Sequence, residues 1–425
     1  MMICWDQVAI APADILLPGE RTDLAAWAVV ACDQYTSQPE YWQEAENLVG
    51  EKPSTLRLTL PEIFLAQSGG RVPFIHRAMA EYLQKGILRE AVTGGFVLTE
   101  RTTSSGSRVG LVAAADLESY DFSEDSRSMI RATEGTILSR IPPRLSVRQD
   151  ASLECPHVLL LLDDMKKTVI EPLYAKREEL PLLYDFELML GGGHLRGWAV
   201  TEPDLLRSVH DALAALKQML PQDNPLLMAV GDGNHSLATA KTHWQQLKKT
   251  LSPKDIEKHP ARYALIEVEN IHDAALHFHP IHRVVFHADG DALMRDWAEY
   301  CRARGMELSG VQKTSGDHAI TVVHGGKESA AYIHQPDSAL AVGTLQKYLD
   351  DYLGRHREAE IDYIHGDDTV KNLCTQKDTV GFLIPVLDKP ALLPAVRSDG
   401  ALPRKTFSMG EAHEKRYYME CRKIL

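Results

Sequence analysis

The sequence predicts a mixed α+β protein of two lobes. At 425 residues it exceeds what one ordinary hydrophobic core accommodates. Strand-like and helix-like stretches are interspersed without the strict alternation of a doubly wound sheet. Past residue 285 the texture changes, which places the expected boundary between a core at 1–285 and a C-terminal α+β lobe at 286–425 whose basic tail returns to the core. No internal repeat or low-complexity linker is present.

The elements follow in order. "VAIAPADILLPG" reads as a strand broken by prolines, and "AAWAVVACDQY" as an apolar segment ending in a polar turn. "PEYWQEAENLVG" predicts a helix with Pro39 in its first turn and Gly50 as its stop. Another helix is expected after the Gly pair of "PEIFLAQSGGRVPFIHRAMAEYLQKGIL". "GGFVLTERTTSSGSRVGLVAAADLESY" predicts a hairpin around Ser-Ser-Gly-Ser, followed by a polar crossing with three arginines beyond Arg131. The continuous apolar run of "PHVLLLLDD" marks a buried strand. Two more strands are read in "LLYDFELMLGGGHLRGWAVTEPD" and an amphipathic helix in "DLLRSVHDALAALKQM". Beyond residue 285 come the helix "ADGDALMRDWAEYCRARGMELSG", the hairpin "AITVVHGGKESAAYIHQ", the helix "ALAVGTLQKYLDDYLG" and the strand "TVGFLIPV".

Hydrophobic residues at 44% and charged residues at 25% are ordinary for a soluble domain. A net charge of −13 argues against a bulk electrostatic grip on nucleic acid or anionic lipid, so the expected partners are small molecules. Six scattered cysteines without a C-x-x-C read as reduced thiols, and no run approaches the ~18 apolar residues of a spanning helix. The expected location is the cytoplasm of a bacterium. Oligomeric state is not legible.

"LLMAVGDGNHSLATAKTHW" runs a strand into a glycine turn and then a helix. Such a turn gathers free backbone N–H groups at the positive end of the helix dipole and so forms an anion seat. Gly231 and Gly233 permit the sharp turn, and His235 can bond a phosphate oxygen. Asp232 can hold Mg²⁺ or take a proton from an attacking hydroxyl, while Asn234 and Ser236 can contact phosphate or cap the helix. A plain capped loop is the alternative. The phosphate-loop pattern G-x-x-x-x-G-K-[ST] is absent, and Ser236 stands where a dinucleotide fingerprint needs its third glycine.

Other clusters are less specific. His272, His277, His279 and His282 lack a completing Cys or carboxylate at metal spacing, and Arg283 beside His282 favours phosphate over zinc. Arg131, Glu134 and Thr136 either bind a zwitterion such as an amino acid or belong to a solvated loop and a strand start. Arg404 and Lys405, in the basic "ALPRKTFSMGEAHEKRY", either close over a polyanion or form a solvated tail pairing with the acidic body. G-x-S-x-G is absent, and a nucleophilic Cys32 would need an activating partner.

Taken in order, "CDQY", "IRATEGTI", "VGDGNHSLATA", "HPIHRV" and "GALPRKTFS" resemble the domain-of-unknown-function 1015 family, over nearly the whole chain. The signature Asp-Gly-His-His-Arg turn is matched with Asn234 for its first His and Ser236 for its Arg; Arg283, Arg404 or Lys405 would then supply the guanidinium or ammonium. The resemblance implies a core distantly similar to the ParB and sulfiredoxin-like fold, in which this turn binds nucleotide phosphates. It further implies phosphorylation of free L-serine or a similar metabolite, with pyrophosphate, ADP or ATP as donor. Asp232, His235 and Glu134 would be catalytic, with Mg²⁺ on Asp232. Gly231, Gly233, Asn234, Ser236, His282, Arg283, Arg404 and Lys405 would bind phosphate, and Asp33, Arg131 and Thr136 the acceptor. A rival expectation is a nucleotide sensor or partner-binding protein that uses the turn without catalysis. Sulfiredoxin-like sulfur chemistry would want a Cys where Asn234 stands.

Overall fold

The structure, a computed structural model, describes residues 3–425. The chain divides into two units: residues up to His277 together with Gly410–Leu425, and Phe278–Met409. The boundary expected at 285 therefore falls inside a strand of the second unit, and the last sixteen residues, 410–425, belong to the first.

The first unit is built on an 11-stranded mixed sheet. Its strands are β1 (Ile10–Ala11), β2 (Ala13–Pro18), β3 (Leu88–Thr103), β4 (Gly106–Asp116), β5 (Tyr120–Asp121) and β6 (Ile130–Ala132), with β7 (Leu153–Glu154) standing apart. Beyond them come β8 (Leu159–Leu162), β9 (Leu182–Glu187), β10 (His194–Val200), β11 (Met228–Asp232) and β12 (Tyr263–Asn270). The sheet runs β5-β6-β11-β8-β12-β4-β3-β10-β9, with β1 on β4 and β2 on β3. The β11–β6 and β12–β8 pairs are parallel, whereas β11–β8 and the β3–β4 hairpin are antiparallel.

Sequence explains most of these elements. The four leucines of β8 are all buried because the strand lies between β11 and β12 and packs on both faces. Helix α1 (Leu24–Trp27) is capped by Asp23, and α2 (Pro39–Val49) opens on Pro39 and closes at Gly50, whose φ of 52° suits a residue without Cβ. Helix α3 (Ser68–Gln84) starts before the Gly pair rather than after it, continuing a 3₁₀ turn from Glu62, and tolerates Pro73 near its start. Helices α4 (Ile141–Arg148), α5 (Glu171–Ala175), α6 (Pro203–Gln218), α7 (Asn234–Lys248) and α8 (Pro253–Lys258) complete the unit. One sheet face packs Val97, Val112 and Leu265 on Trp27, Trp42 and Met79; the other packs Leu98, Ile266 and Val230 on Leu213 and Trp244.

The C-terminal segment is not a solvated tail. Tyr417, Tyr418, Met419, Cys421 and Ile424 are buried, and β20 (Arg422–Lys423) pairs with β7. Arg416 is buried between Glu267 at 3.1 Å and Glu420 at 2.6 Å, and Arg422 donates to Glu154 at 2.7 Å. Buried guanidinium groups are tolerated only because carboxylates face them.

The second unit is an antiparallel sheet with helices α9 (Gly290–Ala303), α10 (Ala341–Arg355), α11 (Asp367–Leu373) and α12 (Leu392–Asp399). Strands β13 (Phe278–Phe286), β14 (Glu307–Ser309), β15 (His318–His324), β16 (Lys327–His334), β17 (Glu360–His365) and β18 (Thr379–Leu383) run in the order β14-β16-β15-β18-β13-β17, with β19 (Phe407–Met409) on β13. The β15–β16 hairpin turns on Gly325 and Gly326, both at positive φ as a type I′ turn requires. Trp297, Tyr348 and Phe382 centre its core. Among the described residues no helix is long and apolar enough to cross a membrane.

Replacing Arg416 with alanine leaves Glu267 and Glu420 as buried carboxylates without their shared cation. We expect a loss of about 3–5 kcal/mol in urea unfolding; a loss under about 1 kcal/mol would show that the segment is held by its apolar side chains instead.

Candidate functional site

Gly233 takes a left-handed conformation at φ 81° and is the N-cap of α7. A Cβ there would also meet the Val158 backbone at 3.1 Å, so this glycine serves the packing of α7 against β8 as well as the turn. The intrahelical ladder begins with Leu237 N–H bonding Gly233 O, which leaves the N–H groups of Asn234, His235 and Ser236 at the helix start. No side chain caps the helix. Asn234, expected to cap it or to meet phosphate, instead holds a neighbouring loop: its Oδ1 accepts from Thr133 N at 3.2 Å and its Nδ2 donates to Thr133 Oγ1 at 3.3 Å. Glu134 and Thr136 lie on that loop, half-buried, and the Thr136 hydroxyl is enclosed without a hydrogen-bond partner. Thr136 therefore starts no strand.

Asp232 is half-buried, accepts from Gly233 N at 2.9 Å and faces the Lys415 ammonium at 3.2 Å. These contacts do not fit a resident magnesium site. The carboxylate already faces two donors, and among the described residues no group of three or more His, Cys, Asp and Glu side chains is placed to hold a metal. Magnesium arriving on a donor's phosphates would be part of the substrate.

His235 Nε2 accepts from Ile137 N at 3.3 Å, which leaves Nδ1–H as the ring's donor. Burial, followed by the charges of Arg144 and Arg140, lowers its pKa to about 4, so the ring is neutral at pH 7. Arg140 and Arg144 sit at the start of α4, and Arg144 pairs with Glu62.

Asp33 and His157 form a second pair, with Oδ2 and Nε2 at 3.5 Å. Burial works against both charged forms. The His157 charge and hydrogen bond more than offset it at Asp33, with help from Gln34 and Lys415, and hold that carboxyl well below the usual range. Asp33, with a smaller part from Asp232, likewise raises His157. Tyr418 bonds His157 Nδ1 at 2.8 Å, and its hydroxyl accepts from Cys32 N at 3.1 Å. Burial pushes the Cys32 thiol up to about 12, which removes it as a nucleophile.

The structure thus joins Asp33, Asp232 and His235, which the sequence singled out, with His157, Lys415, Tyr418, Arg140 and Arg144, which it did not. Arg131 is buried, its guanidinium engaged by Ser128 O and the Asn224 side chain. His282, Arg283, Arg404 and Lys405 belong to the second unit. There His282 accepts from Ile384 N at 3.0 Å and meets Asp367 at 2.9 Å. Arg283, fully buried, donates to Gln346 and to the carbonyls of Ile281, Arg404 and Lys405, so it fastens the 404–405 turn. Of the four histidines read as a possible zinc set, His272 bonds Asp163 at 2.7 Å.

The Asp33–His157 pair sets a pH window. Asp33's lowered pKa adds stability that is present above its unfolded value and lost as pH falls through the folded one. The raised value of His157 adds stability that is present below about pH 6.5 and lost as pH rises through the folded value. Urea unfolding from pH 3 to 9 should therefore show a stability maximum at mildly acidic pH that His157→Gln flattens; identical profiles would remove the pair from the account.

A family model described as a protein of unknown function, DUF1015, matches residues 12–352. No curated protein matches the chain. Similar solved structures include a free serine kinase in complex with AMP, at 11% identity over 70% of this chain and 89% of that one, with a TM-score of 0.38. C-terminally truncated SbnI from Staphylococcus aureus matches at 11% identity over 70% and 82%, TM-score 0.36. A conserved hypothetical protein from Pyrococcus furiosus matches at 12% over 66% and 87%, TM-score 0.33. With its family match running from residue 12 to residue 352 of 425, the chain belongs to the DUF1015 family.

Proposed function

We propose that the first unit is a small-molecule kinase that moves a phosphoryl group from pyrophosphate or a nucleotide to the hydroxyl of free L-serine or a similar metabolite. The observation that carries this reading is the start of α7. Three amides and the neutral His235 ring stand there beside the charges of Arg140 and Arg144, with the carboxylates Asp232 and Asp33 close by.

Amides, imidazole and guanidinium groups would hold the phosphoryl oxygens as charge shifts among them. Lys415 would leave Asp232 for an incoming phosphate oxygen, and the freed carboxylate would accept the proton of the acceptor hydroxyl. Little basicity is needed, because in a loose transition state that proton departs late. Asp33, kept ionised by His157, suits the ammonium of an amino acid. Glu134 and Thr136, on the loop that Asn234 holds, would contact the acceptor.

A second reading is a nucleotide or phosphate sensor of ParB-like fold. It is favoured by the pairing of Asp232 with Lys415, which neutralises the proposed base.

Phosphorus NMR of serine and other hydroxyl metabolites with pyrophosphate, ADP or ATP should show a phosphomonoester product. Asp232→Asn should lower turnover at least ~100-fold with an unchanged circular dichroism spectrum. Calorimetric donor binding with no product from any acceptor would favour the sensor, and absence of both would remove the anion seat itself.

A further inference from the structure

Strand β20 pairs antiparallel with β7, Arg422 opposite Glu154 and Lys423 opposite Leu153. Carried one residue further, that register sets Cys421 opposite Cys155. On its other side Cys421 gives its N–H to Leu16 O at 3.0 Å and takes Leu16 N–H at 2.8 Å, so its backbone makes no bond to Cys155. Facing residues of this non-hydrogen-bonded kind are the closer of the two kinds in an antiparallel ladder, with Cα atoms about 4.5 Å apart. A disulfide spans Cα separations of about 4.4–6.8 Å. The two sulfur atoms stand 2.7 Å apart, and both cysteines are free thiols.

We propose that Cys155 and Cys421 are a redox-active dithiol. It closes to an intramolecular disulfide on meeting a low-molecular-weight disulfide such as oxidised glutathione, and so fastens the C-terminal segment that carries Lys415 and Tyr418. This inference rests on the strand register and does not depend on the phosphoryl-transfer reading.

The two sulfurs have different access. Cys155 is partly exposed and is the entry point; Cys421 is buried. The Cys155 thiolate attacks one sulfur of oxidised glutathione, the S–S bond breaks, and one glutathione leaves as its thiolate. Cys421 then loses its proton, attacks Cys155 Sγ in the mixed disulfide and expels the second glutathione. The two cysteines give up two electrons and two protons, and one glutathione disulfide becomes two glutathione thiols. The bond joins residues 266 apart in sequence, so it restrains a long loop in the unfolded chain. It also lies two residues from His157 along one segment of chain and three from Tyr418 along the other.

The test uses the full chain, reduced and then incubated with oxidised glutathione. Intact mass should fall by about 2 Da, and a non-reducing peptide map should join the peptides holding Cys155 and Cys421. Thermal midpoint should rise by a few degrees and return with dithiothreitol. Cys421→Ser should stop at one glutathione on Cys155, and Cys155→Ser should show neither cross-link nor shift. A wild-type chain that stops at the glutathione adduct, stays unmodified, or forms its cross-link through Cys4 or Cys32 would overturn the proposal.

Discussion

The first unit depends on a guanidinium enclosed between two carboxylates. Arg416 sits on a sheet face between Glu267 of β12 and Glu420 of its own segment, and Arg108 meets Glu269 at 2.9 Å on the same strand. Glu267 and Glu269 point to the same side of β12 as Leu265, and Glu267 lies directly opposite Val112, so charge is set into an otherwise apolar sheet face. Buried charge there needs cations beside it, and burial above all raises Glu269 to about 7. The returning C-terminal segment resolves that conflict. Once Arg416 is seated, Lys415 meets Asp232, Tyr418 meets His157, and Met419 O accepts from Trp27 Nε1 at 3.0 Å.

That dependence explains what could be read from the chain and what could not. The strand, glycine turn and helix of 228–244 are local features, and the sequence displays them directly. Their partners are non-local. Tyr418 and His157 are separated by 261 residues, and neither belongs to a motif. Lys415, Arg416 and Arg422 were hidden for a different reason: a basic run near a terminus has the composition of a solvated tail, and charge alone does not reveal burial. The available signal was the interleaving of those cations with Tyr417, Tyr418, Met419, Cys421 and Ile424, which no solvated tail needs. The boundary was expected at residue 285, but β13 had already begun at Phe278, and a strand that opens a new unit looks like any other strand.

The electrostatics of the site differ from those of the whole chain. A net charge of −13 belongs to the whole chain and says nothing about a site where three acidic groups each have a cation beside them. Asp232 has Lys415, Asp33 has His157, and Glu62 has Arg144. Burial, joined by the charges of Arg144 and Arg140, keeps His235 neutral, so the ring donates through Nδ1–H without adding a charge of its own. A site with paired carboxylates can accept an anion by exchanging partners rather than by overcoming unscreened repulsion.

The residues of the turn fit this arrangement. The Asn234 amide ties Thr133 to the start of α7 with one accepted and one donated bond, a two-sided link that suits a carboxamide. Helix α7 itself carries no arginine. The loop that Asn234 holds leads directly into Arg140 and Arg144 at the start of α4, and both charges are felt at His235. In the proposed kinase, then, the positive charge reaches the phosphoryl from a neighbouring helix instead of from the turn. The donors of Arg283 are engaged by the Gln346 side chain and by carbonyl oxygens of the second unit. In the kinase reading Asn234 fixes the loop that brings the guanidinium groups of Arg140 and Arg144 near.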